Sequence, residues 1–418
     1  MEQRTNSTMY RSILNPAVII SALGYFVDIY DLLLFSIIRL KSLKSLGFSG
    51  EALIDNGIYL NNMQMFGMLL GGIIWGVLGD KKGRLSVLFG SIFLYSIANI
   101  ANAFVSSIGA YAFWRFIAGI GLAGELGAGI TLVAEKLPKE KRGIGTMIVA
   151  GIGLTGAIFA GFLAKIFDWR TCFMIGGVLG LLLLVLRIGV SESGIFKQSF
   201  KQDEIAIKHG DFLALFATRE RMFRYLRSIF IGLPTWFVVG ILVAYSPEFA
   251  LRLGIVEDIK DVDPGTAIMF CYTGMAIGDI LSGVFSQVLK NRKNVMAMFL
   301  IVNGIAITIY LSAKGVDIPT FYLFSGLLGF SVGFWVLYIT MAAEQFGTNL
   351  RATVTTTVPN FIRGALVPIS FTFKFLKDWT GDVISAAAIV GAFCWSVAII
   401  CLIGMKDTFT NDLDYNEL

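Results

Sequence analysis

The chain has 418 residues, of which 56% are hydrophobic and only 15% charged, and its mean hydropathy is +0.74. A soluble chain is nearer a quarter charged, so this one has too little polar surface for a water-facing globule of its size. The 46 glycines and 35 phenylalanines against 8 prolines exclude a disordered or collagen-like chain, which leaves a polytopic membrane protein. Its net charge of +5 reflects where the basic residues lie along the chain, not an affinity for nucleic acid.

The opening MEQRTNSTMYRS is polar, so no removable leader is expected. A membrane-spanning helix takes about 20 mostly apolar residues. Twelve such stretches follow, at about 15–38, 57–78, 84–104, 110–134, 143–165, 171–190, 225–250, 266–289, 294–313, 319–343, 354–377 and 381–405. Short charged or turn-forming breaks separate them, among them GDKKGR (79–84), KLPKEKR (136–142), KGVDIP (314–319) and KDWTGD (377–382). One break is long: residues 191–224 are polar, carry both charge signs and divide the spans six and six. This divides the chain into an N-terminal bundle (1–190), a solvated linker with a short surface helix (191–224) and a C-terminal bundle with a short tail (225–418). Lys and Arg concentrate in the even-numbered breaks, which places both termini in the cytoplasm and the Asn6-Ser7-Thr8 sequon on the unglycosylated side.

His209 is the single histidine, so a His-ligated metal centre is not available. Cys172, Cys271, Cys394 and Cys401 lie in apolar runs without ligand spacing and read as small buried hydrophobes. GIGLAG (119–124) and GIGLTG (151–156) fit the dinucleotide-binding pattern, but they sit inside spans, where small residues serve helix contact. Neither a cofactor nor a metal is expected.

An internal repeat is visible. Ala134-Glu135 and Arg142 recur 209 residues later as Ala343-Glu344 and Arg351, and Gly76-Val77 recurs as Gly283-Val284. GVLGDKKGR (76–84), RFIAGIGLAGELG (115–127), AEKLPKEKRG (134–143), FDWR (167–170) and AEQFGTNLR (343–351) resemble the signatures of the major facilitator superfamily over nearly the whole chain. Within it, YFVDIYDLLLF (25–35) is similar to the acidic first span of metabolite–proton and aromatic-acid–proton symporters. The chain lacks the Pro-Glu-Ser-Pro-Arg motif of the superfamily's sugar porters and the Gly-Pro pair of its drug antiporters. The resemblance implies an all-α membrane protein of two pseudo-symmetric six-helix bundles that rock around a central site. It also implies gating roles for Asp80 and Arg84, which Glu135, Arg142 and, through the repeat, Glu344 and Arg351 extend. Ser286-Gln287 replaces the Gly-Asp pair in the second half, which weakens a matching lock there.

Ionisable residues inside spans are costly and therefore informative. Asp28, Asp31, Glu125 and Asp279 face only Arg115 and Arg363 in this count, and a buried carboxylate without a cationic partner tends to take up a proton. The four acids are candidates for proton coupling, with a hydrated or purely structural role as the rival reading. Arg363, near Pro359 and Asn360, presents a fork suited to a carboxylate, or else forms an interhelical ion pair. Arg115 either guides an anion or snorkels outward. Tyr25, Asn62, Gln64, Trp236, Trp335, Tyr338 and Asn360 are further substrate-contact candidates, each also explained by helix packing. The expectation is a monomeric, proton-coupled symporter of a small organic anion. The alternatives are a carrier of a neutral or zwitterionic solute, an exporter, or a transport-inactive sensor.

Overall fold

The computed structural model describes residues 15–49, 51–189, 210–258, 261–411 and 415–417, and these residues contain helices and no strand. The Asn6 sequon, His209 and residues 191–209 of the central linker lie outside the described residues. Polar caps start many of the helices, as their side chains satisfy the first free N–H groups. Asn15 accepts from Ala17 N ahead of Pro16, Asp168 accepts from Thr171 N, and Asp263 accepts from Thr266 N ahead of Pro264.

Spans 1, 2 and 3 are single helices: Pro16–Ser45, Glu51–Lys82 and Arg84–Asn102. Spans 5 and 6 are Lys139–Ile166 and Trp169–Leu186, and spans 8 and 9 are Pro264–Leu289 and Arg292–Leu311. Span 12 is Val383–Ile403. Phe104, Leu182, Phe375 and Ile400 are exposed on the outer surface, as suits lipid contact.

Three expected spans are interrupted. Span 4 breaks at Ala123-Gly124 into Ile108–Leu122 and Glu125–Lys136. Span 10 breaks near Val332–Phe334 into Ile318–Ser331 and Trp335–Glu344, at the equivalent place in the repeat. Span 7 starts earlier than its apolar run, because Thr218 caps a helix over Arg219–Phe230. It continues as Leu233–Phe237, a π-helical segment over Val238–Val243, and Ser246–Arg252. Pro234 and Pro247 lack the N–H that an unbroken helix needs.

Among the described residues, eleven helices are long and apolar enough to cross a membrane by length and composition alone. The twelfth span, span 11 (Thr348–Thr380), carries a threonine run, two interior prolines and two arginines. Residues 348–360 are buried throughout, so this part of the helix needs no lipid-facing apolar girdle.

Within each bundle, glycines allow the second and fourth spans to touch backbone to backbone. A Cβ at Gly67 would overlap the Phe116 carbonyl, and one at Gly71 the Ile120 carbonyl. Gly274 meets the Gly326 carbonyl and Gly278 the Phe330 carbonyl in the same way between spans 8 and 10. The glycines of these pairs lie at the same offset, 207, as Gly76 and Gly283, and their carbonyl partners at 210, so the repeat extends to helix contacts. Span 11 packs along span 2, and span 8 along span 5, joining the bundles. We call the end bearing residues 79–84 the basic face and the opposite end the far face.

A tail follows span 12 across the basic face. Asp407 accepts from Arg292 N and Lys293 N, Thr408 donates to Glu344, and Glu417 pairs with Arg221 and Arg224. Tyr415 O accepts from Thr348 N at 2.7 Å, so the tail also holds the start of span 11.

Candidate functional site

Midway along the bundle interface, span 1 and span 11 bring opposite charges together. Arg363 Nη2 lies 3.5 Å from Asp28 Oδ2, and both side chains are essentially inaccessible. Arg363 also donates weakly to Asn360 Oδ1 at 3.4 Å, and its Nε has no partner; neither does Asp28 Oδ1. Asn360, one turn earlier, donates to the Ala123 carbonyl at 2.8 Å, a group freed by the break in span 4. Tyr25, Tyr272 and Tyr338 lie within electrostatic range of the guanidinium. Trp335 and Tyr338 lean on each other with ring centroids 5.3 Å apart. Tyr338 Oη and Trp236 Nε1 are buried without hydrogen-bond partners, so polar and aromatic groups are both in place for a ligand.

The other acids are arranged differently. Glu125 is held by both terminal nitrogens of Arg187, which also donates to the Leu88 carbonyl at 2.7 Å. Arg187 corrects the charge balance read from the sequence: it belongs to a 3₁₀ turn at the end of span 6 and reaches back into the bundle, fully buried. The interior therefore holds three arginines against four acids. Asp279 accepts from Val336 N at 3.2 Å and so helps cap the second segment of span 10. Asp31, one turn beyond Asp28, points into the first bundle beside Gly176, and neither of its oxygens has a partner. Arg115 bonds Gln64 and stacks over Phe35 at 4.4 Å, leaving Nε and Nη1 without partners.

The candidate gating residues meet at the basic face. Asp80 Oδ1 accepts from Ala352 N at 2.9 Å, while Oδ2 accepts from Thr353 N at 2.8 Å and from its hydroxyl at 2.7 Å. The carboxylate of the first bundle thus serves as an anchor for span 11 of the second. Arg84 pairs with Glu135 at 2.8 Å, and Arg351 approaches the same Glu135 oxygen at 3.3 Å from the other bundle. Thr131 and Thr355 hydroxyls meet at 2.7 Å across the same seam. Arg142 lies on span 5 with its side chain outside the described ones. The second bundle carries a twin of the Arg84–Glu135 pair that the loop sequence concealed: Arg292 pairs with Glu344 at 2.6 Å.

On the far face, Asn62 lines a cleft between the bundles together with Arg39, Asn61, Tyr245 and Ser370. Its volume of about 50 Å³ is room for a few waters only, so this conformation is shut at the basic face and nearly shut at the other. The site residues not foreseen are Arg187, Arg292, Tyr272 and Arg39. Tyr272 stands two turns before Asp279 on one helix face, a spacing that the sequence already offered.

The family profile of the Major Facilitator Superfamily matches residues 14–362. The chain belongs to that superfamily. It is 25% identical to the putative niacin/nicotinamide transporter NiaP of Bacillus subtilis (strain 168), over 94% of this chain and 96% of that protein. It is 28% identical to the 3-(3-hydroxy-phenyl)propionate transporter of Escherichia coli (strain K12), over 84% and 88% of the two chains. Among solved structures, the proton:xylose symporter XylE superposes with a TM-score of 0.70 at 17% identity, covering 96% of this chain and 97% of that one. The chain is thus an integral membrane transporter of small metabolites, and its fold is that of the superfamily.

Proposed function

We propose that the protein is a proton-coupled symporter of a small organic carboxylate, aromatic acids first among them, working by alternating access with the basic face in the cytoplasm. The observation that carries this reading is the loose Asp28–Arg363 pair. At 3.5 Å it is longer than the roughly 2.7–2.9 Å of a tight charge-assisted contact. Protonation of Asp28 releases the guanidinium, and an incoming carboxylate takes its place with the same charge. The solute and the proton thereby load together, because Arg363 is free to take the carboxylate only while Asp28 is protonated. Asp31 supplies a second carboxylate on the same helix, one turn away and without a cation in contact. The flanking Tyr25, Trp335 and Tyr338 offer faces for an aromatic ring. The relatives named for niacin/nicotinamide and for a hydroxyphenylpropionate support a carboxylate-bearing ring as the solute.

The test is reconstitution in proteoliposomes with an internal pH dye, supplied with nicotinate, 3-(3-hydroxyphenyl)propionate or the neutral nicotinamide. The expected result is acidification with the acids, lost in Asp28→Asn. Equal uptake with and without a pH gradient, unchanged in Asp28→Asn and Asp31→Asn, overturns the coupling. Movement of nicotinamide alone overturns the anion.

A further inference from the structure

The far-face cleft holds a cation that nothing in the central site uses. Arg39 stands at the outer end of span 1, and its side chain makes no hydrogen bond or ion pair with any described residue. Its Nε is buried without a partner, although the residue as a whole is only half-buried. A Cβ at Gly57 would collide with Arg39 Cδ, so the glycine lets the arginine lie flat along span 2. The same cleft gathers Ser36, Asn61 and Asn62 from the first bundle and Tyr245 and Ser370 from the second. Glu248, one turn beyond Tyr245, is within electrostatic range of Arg39 yet forms no ion pair with it.

We propose that Arg39, with Asn61 and Asn62, forms an outer carboxylate subsite where an anionic solute docks on the far face before it reaches Arg363. The chemistry is that of a guanidinium fork flanked by neutral amides, which suits one carboxylate group and rejects cations. The cleft is of the size of such a group, not of a whole solute, so the subsite holds the head while the body waits outside. Glu248 competes for the guanidinium and weakens the anion's hold there.

This inference rests on the carboxylate reading above, and the experiment separates the two. Uptake of radiolabelled nicotinate and of 3-(3-hydroxyphenyl)propionate is measured in intact cells, which present the far face, and in everted vesicles, which present the basic face. Arg39→Gln is expected to raise the far-face KM about tenfold with Vmax held within about twofold, as befits the loss of one charge-assisted contact. Arg39→Lys recovers part of the loss, and Glu248→Gln lowers the far-face KM. The basic-face KM stays as in the parent protein, a sidedness that a mere packing defect does not produce. If the parent moves the acids but Arg39→Gln leaves the far-face KM unchanged, or raises both KM values alike, the subsite is overturned and the symporter reading stands. If the parent moves neither acid, both fall together.

Discussion

The seam between the bundles is built in opposite ways at its two ends. At the basic face, Asp80 anchors two backbone N–H groups of span 11, and Glu135 takes Arg84 from its own bundle and Arg351 from the other. At the far face, no ion pair joins the bundles among the described residues, and Arg39 is left without an ion-pair partner beside the neutral Asn61, Asn62 and Ser370. Between them lies the looser Asp28–Arg363 pair. The difference shows where the present conformation draws its closure: from charges at one end and little but packing at the other. It also shows why the closure is reversible. A buried ion pair gains little over apolar packing because desolvation opposes it, yet removing one partner is costly. Such contacts tie a specific alignment without making it permanent.

The comparison breaks most severely at its middle. Arg363→Gln leaves Asp28 buried without a cation, and accumulation of the solute is expected to fall more than about 100-fold while the protein still inserts and purifies. Tracer uptake alongside size-exclusion profiles checks this. Next, Glu135→Gln deprives Arg84 and Arg351 together. A cysteine placed at Thr356, whose hydroxyl makes no hydrogen bond, is then expected to react with a thiol reagent from the basic face at least about tenfold faster. Arg292→Gln sharpens the contrast, since its partner Glu344 lies in the same bundle. It is expected to lower the thermal unfolding midpoint while leaving that labelling rate as it was. Smallest is Thr131→Val, which removes one neutral hydrogen bond across the seam. It is expected to shift the same labelling rate only a few-fold, in line with about 1 kcal/mol.

Much of this arrangement could be read before any coordinates. Length and apolarity marked the spans, because lipid demands both. The repeat offsets placed Glu135 and Glu344 in equivalent positions, and both prove to be carboxylates held by an arginine at the start of the preceding odd-numbered span. What stayed hidden has physical causes. The breaks in spans 4 and 10 fall in runs of small and apolar residues that hydropathy reads as continuous helix. The partners of Asp80 are main-chain N–H groups, which every non-proline residue owns, so no residue type announces them. Arg187 sits where an apolar run meets a polar linker, and only folding shows that it turns inward. Span 7 looked like a single rod because its prolines stand among strongly apolar neighbours.

The Asp28–Arg363 pair carries a consequence for energetics across the bilayer. With Asp28 ionised and the site empty, the two charges cancel. With Asp28 protonated and a monocarboxylate on Arg363, they cancel again. Under the coupling proposed above, each loaded and each unloaded crossing of this pair carries no net electrical charge through the membrane. A cycle of one proton and one monocarboxylate is electroneutral, driven by the pH difference and indifferent to voltage, so dissipating the potential with valinomycin and potassium leaves its rate unchanged.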